Sequence, residues 1–478
     1  MTSTPGLKNR LVVYNPGTEV VVWDGPASTT ENVRHAVASA RSDWNAWRDT
    51  ALIDRIAVAD RFGDLANRRS EQLVERIVAE TGKPRWEAES EAKLIPAKVK
   101  IAIDAYQNRS TADPIELPQG TGRVLYRGVG VMAVLGPFNF PAHLPNGHIV
   151  PALIAGNTVV FKPSELTPGT GELMWQWWME AGLPAGALAV VQGDGKVGAD
   201  LVGQDVDGVL FTGSYAAGLA IHRSLAGRPQ VLLALEMGGN NPLVIHDARD
   251  LDAAAYLTIV SAFATAGQRC TCARRLILPD GDDVEPLLRR ISDLCRALRV
   301  GTSYADPQPF MGPLISGKAA DRVLAIQASL IRKGGSALVL AERVNENSAL
   351  IRPGIIDVTS IVDRDDDEVF GPLLQVIRVS DFTAAIAEAN RTAYGLSASL
   401  LSDNPDSFDR FRKSVRAGVI NWNQATVGAS GRLPFGGLGA SGNHRPSGYF
   451  AADYCSDAAA VLESESLTMP STIMPGIL

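Results

Sequence analysis

Two side chains of this sequence have the chemical types that covalent chemistry at a carbonyl carbon requires. Cys270 ends the segment Gly-Gln-Arg-Cys, and Glu236, thirty-four residues earlier, begins the segment Glu-Met-Gly-Gly. A cysteine nucleophile needs a base that takes a proton and later activates water. The glycines after Glu236 allow a sharp turn that returns the carboxylate to a cleft. The pair therefore predicts covalent catalysis by a thiol with a carboxylate as its base.

Each of these residues also has an ordinary structural explanation. A free cysteine often packs like a small hydrophobic residue, and a lone glutamate after a strand usually lies on the surface. Cys270-x-Cys272 could be half of a metal site, but no second Cys/His pair with suitable spacing follows. We therefore predict no metal and a packing role for Cys272. Arg269, Arg274 and Arg275 are expected to favour the Cys270 thiolate electrostatically.

A third candidate, Asn139, follows a predicted strand in the segment Gly-Pro-Phe-Asn-Phe-Pro. Asparagine at a strand end is often a turn former. In a catalytic role, its side-chain N–H would donate to the alkoxide that forms when a thiolate attacks an aldehyde. Asn139 is therefore a candidate oxyanion donor.

Three further segments, two of them after predicted strands, carry residues that suit a dinucleotide. The candidates are Lys162, Ser164, Glu165, Gly213, Ser214, Gly218, Glu368 and Phe370. Glu165 could accept from an adenosine 2′-hydroxyl and would repel a 2′-phosphate. The segment 213–218 opens a predicted helix, whose N-terminus suits a pyrophosphate, although it is not the usual dinucleotide fingerprint. The alternative interpretation is an ordinary surface loop for the Lys162 segment and a loop with a core phenylalanine for the Glu368 segment, and the glycine spacing in 213–218 is a weak signal on its own.

The elements that would position these residues alternate between strands and helices. Residues 31–110 have apolar positions at helical spacing. From 129 to 235 short apolar runs alternate with helical stretches, and the alternation restarts at 236 and continues to about 440. This order is typical of parallel α/β sheets. The segment 111–128 and the tail after Tyr454 fit neither sheet.

Bulk properties exclude several classes of protein. A chain of 478 residues is too long for one core, so two or three domains are expected. The net charge of −7 gives no support for nucleic-acid binding. No run approaches the roughly 18 apolar residues of a membrane span, and the first residues lack an apolar signal core. Four cysteines without a framework spacing favour a reducing compartment, so we predict a cytoplasmic protein.

Taken in this order, the segments resemble the aldehyde dehydrogenase superfamily over nearly the whole chain. The resemblance implies that Cys270 is the nucleophile and that Glu236 activates the hydrolytic water. It implies that Asn139 and the Cys270 backbone N–H form the oxyanion hole. It also implies NAD as the cofactor, with Lys162, Ser164 and Glu165 near the adenosine ribose. Residues 213–218 would face the pyrophosphate, and Glu368 and Phe370 the nicotinamide half.

The resemblance also implies an architecture, an α/β fold with two doubly wound parallel-sheet domains and a small β segment. The NAD-binding domain would comprise 1–110 and 129–235, and the catalytic domain 236–442. Residues 111–128 and 455–478 would form an oligomerisation segment. A homodimer or a dimer of dimers is expected on the same basis.

Three segments resemble one subfamily of this superfamily; they are residues 138–148, 267–275 and 439–447. That resemblance implies a substrate that carries two carboxylates besides its aldehyde. Arginine binds carboxylates bidentately, so basic side chains should line the substrate path. Arg445 is the first candidate, followed by Lys98 and Lys100.

Other reactions remain as alternatives. A dehydrogenase for another small acidic aldehyde, such as succinate or glutamate semialdehyde, has the same catalytic residues. Acyl transfer to coenzyme A and acyl-phosphate reduction are disfavoured, because Glu236 would supply water chemistry. A catalytically silent relative would be expected to lack Cys270 or Glu236, and both are present.

Overall fold

A computed structural model describes residues 10–117, 120–346, 348–469 and 472–477. The parts of the predicted domains and segments that fall at 1–9, 118–119, 347, 470–471 and 478 lie outside the described residues.

The described chain alternates between short strands and longer helices. The strands are β1 (Arg10–Tyr14), β2 (Val21–Pro26), β3 (Ile115–Leu117), β4 (Gly120–Gly128), β5 (Val131–Leu135), β6 (Thr158–Lys162), β7 (Leu188–Val190), β8 (Gly208–Gly213), β9 (Leu232–Met237), β10 (Asn241–Ile245), β11 (Ala273–Pro279), β12 (Ser336–Val339), β13 (Glu342–Arg343), β14 (Ile351–Arg352), β15 (Gly354–Asp357), β16 (Leu373–Val379), β17 (Ser397–Leu401), β18 (Val419–Trp422), β19 (Pro434–Phe435), β20 (Ser447–Gly448) and β21 (Ser456–Glu463). The α-helices are α1 (Thr30–Asp49), α2 (Leu52–Arg68), α3 (Ser70–Thr81), α4 (Arg85–Arg109), α5 (His143–Ile154), α6 (Pro168–Glu180), α7 (Gly195–Val202), α8 (Tyr215–Ser224), α9 (Leu251–Phe263), α10 (Val284–Ala297), α11 (Gly317–Arg332), α12 (Phe382–Ala389), α13 (Pro405–Ser414) and α14 (Ala451–Cys455).

The first large sheet is parallel and has the strand order β7-β6-β5-β8-β9. Its central strand β5 is apolar and buried at every position, as expected for a strand covered on both faces. Met132 and Val134 join the core formed with α2 to α6, whereas Val131, Ala133 and Leu135 join the core formed with α1 and α7. Alternate side chains therefore enter two cores, which confirms a doubly wound sheet.

The second large sheet has the order β12-β15-β16-β11-β10-β17-β18. All neighbouring pairs are parallel except β12 with β15. Residues of α9, α10, α11 and α12 pack with these strands in a single hydrophobic core. Two parallel-sheet units are thus present, as the alternation in the sequence predicted.

A third, antiparallel sheet has the order β21-β4-β3 and is built from parts of the two segments that fit neither large sheet. Residues 456–463 of β21 pair with 121–128 of β4 along their whole length. Ile115, Leu125 and Leu462 on these strands are exposed. The sequence prediction of a small β element is confirmed, while its role in oligomerisation remains a prediction.

The apolar run that precedes the Cys270 segment, which reads as one helix in the sequence, is α-helical only in its first part. α9 ends at Phe263, and a 3₁₀ turn follows over Ala264–Gly267. Thr265 and Ala266 have φ values of 55° and 53°, a left-handed conformation that no α-helix can contain. Gly267, at φ 69°, approaches Gly371 so closely that an added Cβ would lie 2.2 Å from its carbonyl oxygen. The turn therefore brings the cysteine loop against the loop before β16.

In the described part of the chain, no helix combines the length and the apolar character needed to cross a membrane.

Candidate active site

One cavity of about 1100 Å³ contains most of the residues that the sequence singled out. Its walls come from the carboxyl ends of β5, β6, β8 and β9 and, opposite them, from the cysteine loop, α11 and the loop before β16. Ligands bind at the carboxyl ends of parallel strands in open α/β sheets. The predicted residues that line it are Asn139, Lys162, Ser164, Glu165, Gly213, Ser214, Glu236, Cys270, Glu368 and Phe370.

Gly218 does not line the cavity but supports its wall. It lies in the first turn of α8, where an added Cβ would be 2.4 Å from the sulfur of Met237. Its lack of a side chain allows α8 to pack closely against β9, which carries Glu236.

The three basic residues predicted for substrate carboxylates also lie outside the cavity walls. Lys98 is buried, its Nζ lies 3.5 Å from the Ser447 hydroxyl, and burial lowers its pKa to about 8. Lys100 is exposed on the same helix. Arg445 donates to the Gly437 carbonyl at 2.8 Å. None of the three is brought beside Cys270.

Cys270 is half-buried at the end of the cavity, and its thiol favours the neutral form. Burial raises its pKa well above the usual value, and the nearby carboxylates of Glu236 and Glu368 raise it further. Its carbonyl accepts from the Asn241 side chain at 2.7 Å, which fixes the backbone at this point. A base must therefore take the thiol proton before Cys270 can attack.

The expectation that the neighbouring arginines favour the thiolate is wrong. The Arg274 guanidinium donates to the carbonyls of Gly267 (2.7 Å) and Arg269 (2.9 Å). Arg275 donates to backbone carbonyls at residues 240, 388 and 389. Both arginines hold loops together, and two carboxylates face the thiol instead.

Glu236 has the properties of a general base that no other interaction occupies. It is 1% exposed, and neither carboxylate oxygen makes a hydrogen bond of normal geometry to a described residue. Burial raises its pKa to about 7, although the adjacent Cys270 partly opposes this shift. A carboxylate with a pKa near neutrality and no fixed partner can exchange protons with a thiol or a water molecule.

Asn139 lines the cavity beside the cysteine loop. It is 6% exposed, and its side-chain Nδ2 donates to the Gln268 carbonyl at 2.9 Å, two residues before Cys270. Lys83 donates to the Asn139 carbonyl at 2.7 Å. The Asn139 amide and the Cys270 backbone thus belong to adjoining loops.

The other end of the cavity fits a dinucleotide. Ser214 caps α8 by accepting from the Ala217 N–H, and the first-turn N–H groups of Tyr215 and Ala216 face no earlier helical carbonyl. Such a helix start suits a pyrophosphate. Lys162 donates to the Pro163 and Gly193 carbonyls at 2.9 and 2.7 Å, so its position at the cavity wall is fixed.

Glu368 and Phe370 lie between this end and Cys270. The Glu368 carboxylate accepts from the Gly239 N–H at 3.2 Å and lies 3.7 Å from Arg274. An added Cβ at Gly238 would be 1.7 Å from that carboxylate, so glycine is needed at this position. Phe370 meets Phe138 edge to face at 5.9 Å. The pair provides an apolar surface for a planar ring beside the nucleophile.

Sequence reasoning missed a group of buried polar residues behind the site. The Tyr454 hydroxyl donates to the Pro446 carbonyl, so it must accept from His148 Nδ1 at 2.9 Å. Burial lowers the pKa of His148 to about 3, so the ring is neutral. Its Nε2 then accepts from the Thr212 hydroxyl. Thr212 lies on β8, opposite Glu236 in the register between β8 and β9. These partners are far apart in sequence, and no local motif indicates them.

Comparisons with known proteins agree with this geometry. Residues 3–461 match the model of the aldehyde dehydrogenase family. The chain belongs to this family and is an aldehyde-oxidising oxidoreductase that uses a nicotinamide cofactor.

Two curated relatives show a finer similarity. The chain is 49% identical to the N-succinylglutamate 5-semialdehyde dehydrogenase of Paraburkholderia xenovorans, over 97% of this chain and 95% of the relative. It is 48% identical to the protein of the same name from Ectopseudomonas mendocina, over 99% of this chain and 97% of the relative.

Solved structures support the fold. The chain is similar to 1-pyrroline-5-carboxylate dehydrogenase from Thermus with bound NAD, with a TM-score of 0.89 and 29% identity over 95% of this chain and 90% of the other. It is also similar to the NADP-dependent glyceraldehyde-3-phosphate dehydrogenase of Bacillus halodurans in complex with NADP, with a TM-score of 0.90 and 27% identity over 96% of both chains.

Proposed function

We propose that this protein oxidises N-succinyl-L-glutamate 5-semialdehyde to N-succinyl-L-glutamate with NAD⁺, through a thioester on Cys270, as a step of arginine degradation by succinylation. The observation that carries the chemistry is the unpartnered, buried Glu236 carboxylate facing the Cys270 thiol at the end of one cavity. The similarity to relatives with this activity in their names supports the substrate.

The reaction begins when charged Glu236 takes the thiol proton of Cys270. The thiolate then adds to the aldehyde carbon, and the carbonyl oxygen becomes an alkoxide. The Asn139 side-chain N–H and the Cys270 backbone N–H donate to that oxygen. Because these donors are in place before the alkoxide forms, they stabilise it more than reorienting solvent would.

When bound, NAD⁺ supplies the acceptor for the hydride that leaves the substrate carbon. Ser214 and the start of α8 would hold its pyrophosphate, with Lys162, Ser164 and Glu165 at the adenosine ribose. Glu368 and Phe370 would orient the half beside Cys270. The carbon that loses the hydride remains bound to the Cys270 sulfur as a thioester.

Once it has released the thiol proton to solvent, the charged Glu236 carboxylate acts again in the second half of the reaction. It takes a proton from a water molecule as that water attacks the thioester carbon. The new C–O bond forms, the C–S bond breaks, and Cys270 leaves as a thiolate that is reprotonated. The acid then dissociates. Transfer to coenzyme A is disfavoured, because Glu236 is placed to activate water.

We propose NAD⁺ rather than NADP⁺ because of Glu165. Its carboxylate lies 3.6 Å from Lys162 Nζ at the cavity wall. A carboxylate there can accept from a 2′-hydroxyl and repels a 2′-phosphate.

Arg445 remains our first proposal for binding a substrate carboxylate, with Lys98 and Lys100 after it. Lys98 contacts Ser447, two residues from Arg445, so these two cations flank one segment. If Arg445 binds substrate, Arg445→Met raises KM for the succinylated aldehyde and leaves KM for an aliphatic aldehyde unchanged. Equal KM values in variant and wild type would remove Arg445 from this role.

We also propose a cytoplasmic homodimer or dimer of dimers that assembles through β3, β4 and β21. Exposed apolar residues on this small sheet support the proposal, because such residues are usually covered by a partner. Sedimentation of the wild-type protein tests the oligomeric state, and a monomer at micromolar concentration would contradict it.

A panel of aldehydes tests the proposed reaction. NADH formation is followed with N-succinylglutamate semialdehyde, succinate semialdehyde, glutamate semialdehyde and an aliphatic aldehyde, in wild type and Cys270→Ala. We expect a strong preference for the succinylated substrate and no activity in the variant. Equal or higher activity on another acidic aldehyde would leave the proposed mechanism standing but would show that the proposed substrate is wrong.

A further inference from the structure

Helix α4 carries two buried carboxylates one turn apart, Glu87 and Glu91, which contact different loops of the active site. They are 2% and 0% exposed. Neither takes part in the steps of the proposed reaction. Buried charges are retained only when they are paired or hydrogen-bonded, so their partners indicate what they do.

Glu91 fixes the loop that carries Asn139. One oxygen pairs with Lys83 at 3.0 Å, and Lys83 in turn donates to the Asn139 carbonyl at 2.7 Å. The other oxygen accepts from the N–H groups of Ala142 and His143 at 3.0 and 3.1 Å, where α5 begins. The asparagine loop is therefore held at Asn139 itself and three to four residues beyond it.

Glu87 fixes the loop that carries Cys270. It accepts from both the N–H and the hydroxyl of Thr265, at 2.8 and 2.7 Å, and from Arg269 at 3.3 Å. Thr265 and Ala266 have positive φ, a conformation that residues with side chains keep only when their surroundings hold it. This turn sets the position of Gln268, whose carbonyl meets the Asn139 amide.

We propose that Glu87 and Glu91 are positioning residues of the oxyanion hole, which use one rigid helix to fix the distance between the Asn139 amide and the Cys270 N–H. Residues four apart on a helix share a face, so Glu87 and Glu91 hold the two loops against the same side of α4. A single alkoxide can accept from both donors only if that distance is maintained. The inference rests on the proposed function, because it assumes that these donors form the hole.

A double-mutant cycle tests whether the network acts through Asn139. K83M/E91Q removes the Lys83 donor without leaving an unpaired buried charge, and the amide oxygen introduced at position 91 can still accept from α5. The rate of Cys270 acylation by p-nitrophenyl acetate is measured in four proteins: wild type, K83M/E91Q, N139A and their combination. In this reaction the thiolate bonds to the acetyl carbon and p-nitrophenolate leaves, so neither cofactor nor aldehyde is needed.

K83M/E91Q is expected to slow acylation at least about tenfold in the wild-type background. When Asn139 is already alanine, the same change should slow it less than about twofold, because the effects of substitutions in groups that act as a unit are not additive. E87A is expected to slow it about tenfold, and E87Q, which keeps an acceptor for Thr265, to stay within about twofold of wild type. E89A, on the exposed side of the same helix, is the matched control. NAD affinity should stay unchanged in all of them.

Equal slowing by K83M/E91Q in both backgrounds would overturn the proposal, since Lys83 and Glu91 would then act on the fold as a whole. Equal rates for E87A and E87Q would overturn the part that concerns Glu87. If wild-type Cys270 is not acylated at all, the proposed function itself fails and the positioning role fails with it. The two failures are therefore distinguishable.

Discussion

The charge on Glu236 should destabilise the fold above neutral pH, and this provides a test that needs no substrate. The carboxyl is buried without a hydrogen-bond partner among the described residues, and its pKa rises from 4.5 to about 7. Below pH 4.5 the folded and unfolded states both carry the proton. Between pH 4.5 and 7 only the unfolded state releases it, so the free energy of unfolding falls as pH rises.

The size of the effect follows from the shift. Each pKa unit corresponds to 1.36 kcal/mol, so the full penalty is about 3 kcal/mol and is reached above pH 7. An unfolding entropy of about 2.1 cal/mol/K per residue gives about 1 kcal/mol/K for 478 residues. Glu236→Gln, which is uncharged at every pH, should therefore raise Tm by about 3 °C at pH 8 and change it little at pH 4.5.

Thermal unfolding of wild type and Glu236→Gln in matched buffers from pH 4.5 to 8.5 measures this difference. Glu31→Gln is the control, because hydrogen bonding and charge from Arg34 lower the pKa of exposed Glu31, and no gain at high pH is expected. A Tm difference between Glu236→Gln and wild type that stays flat with pH, or that reverses sign, would show that Glu236 is not a buried carboxyl of raised pKa. The assignment of Glu236 as the general base would then have no physical support.

Three further predictions concern other parts of the site and fold. Asn139→Ala should slow turnover about a hundredfold, as expected for one lost oxyanion donor, with NAD affinity unchanged by fluorescence titration; intact turnover would contradict its role. Glu165→Gln should reduce the preference for NAD⁺ over NADP⁺ about tenfold, since one repulsive charge is removed, and an unchanged kcat/KM ratio for the two cofactors would refute this. Glu80→Ala should lower the free energy of unfolding by about 3 kcal/mol. Glu80 accepts from the Gly169 N–H and from both the N–H and the hydroxyl of Thr170 at the start of α6, and the variant leaves these donors unpaired. A loss of unfolding free energy no larger than that caused by Glu172→Ala, at an exposed position, would refute this prediction.

The presence of Cys270 and Glu236 in one cavity could be predicted from the sequence because local patterns indicate both residues. Cys270 and Glu236 each follow a recognisable element and sit beside glycines, so type and spacing were enough to place both in one cleft. The two parallel sheets were predictable for a similar reason, since fully apolar strands such as β5 alternate with amphipathic helices.

The electrostatics of the site could not be predicted in this way. Arg274 and Arg275 stand beside the cysteine in sequence, yet their donors go to carbonyls that include residues 371, 388 and 389, about a hundred positions away. The Glu368 carboxylate, for which Gly238 leaves room, raises the pKa of the Cys270 thiol although it lies about a hundred residues away in sequence. Such contacts depend on tertiary packing, which periodicity does not report.

The same limit applies to the substrate and positioning residues. Lys98 reads as a charged helix residue, but α4 is packed on several sides and buries it. The left-handed turn at Thr265 falls inside an apolar run that looks helical. Its partner, Glu87, lies 178 residues earlier, so sequence proximity gives no indication of the contact.

The central claim is that Cys270 carries the acyl group and Glu236 releases it. Glu236→Gln removes a charge that raises the pKa of the Cys270 thiol, so solvent hydroxide can take the thiol proton more readily in this variant. The variant is mixed at about pH 9 with NAD⁺ and N-succinylglutamate semialdehyde, and NADH and the mass of the Cys270 peptide are measured together. We expect a burst of about one NADH per subunit, followed by near arrest, with the succinylglutamyl group on Cys270. Steady NADH formation without an adduct, or an adduct on Cys272, would contradict the account.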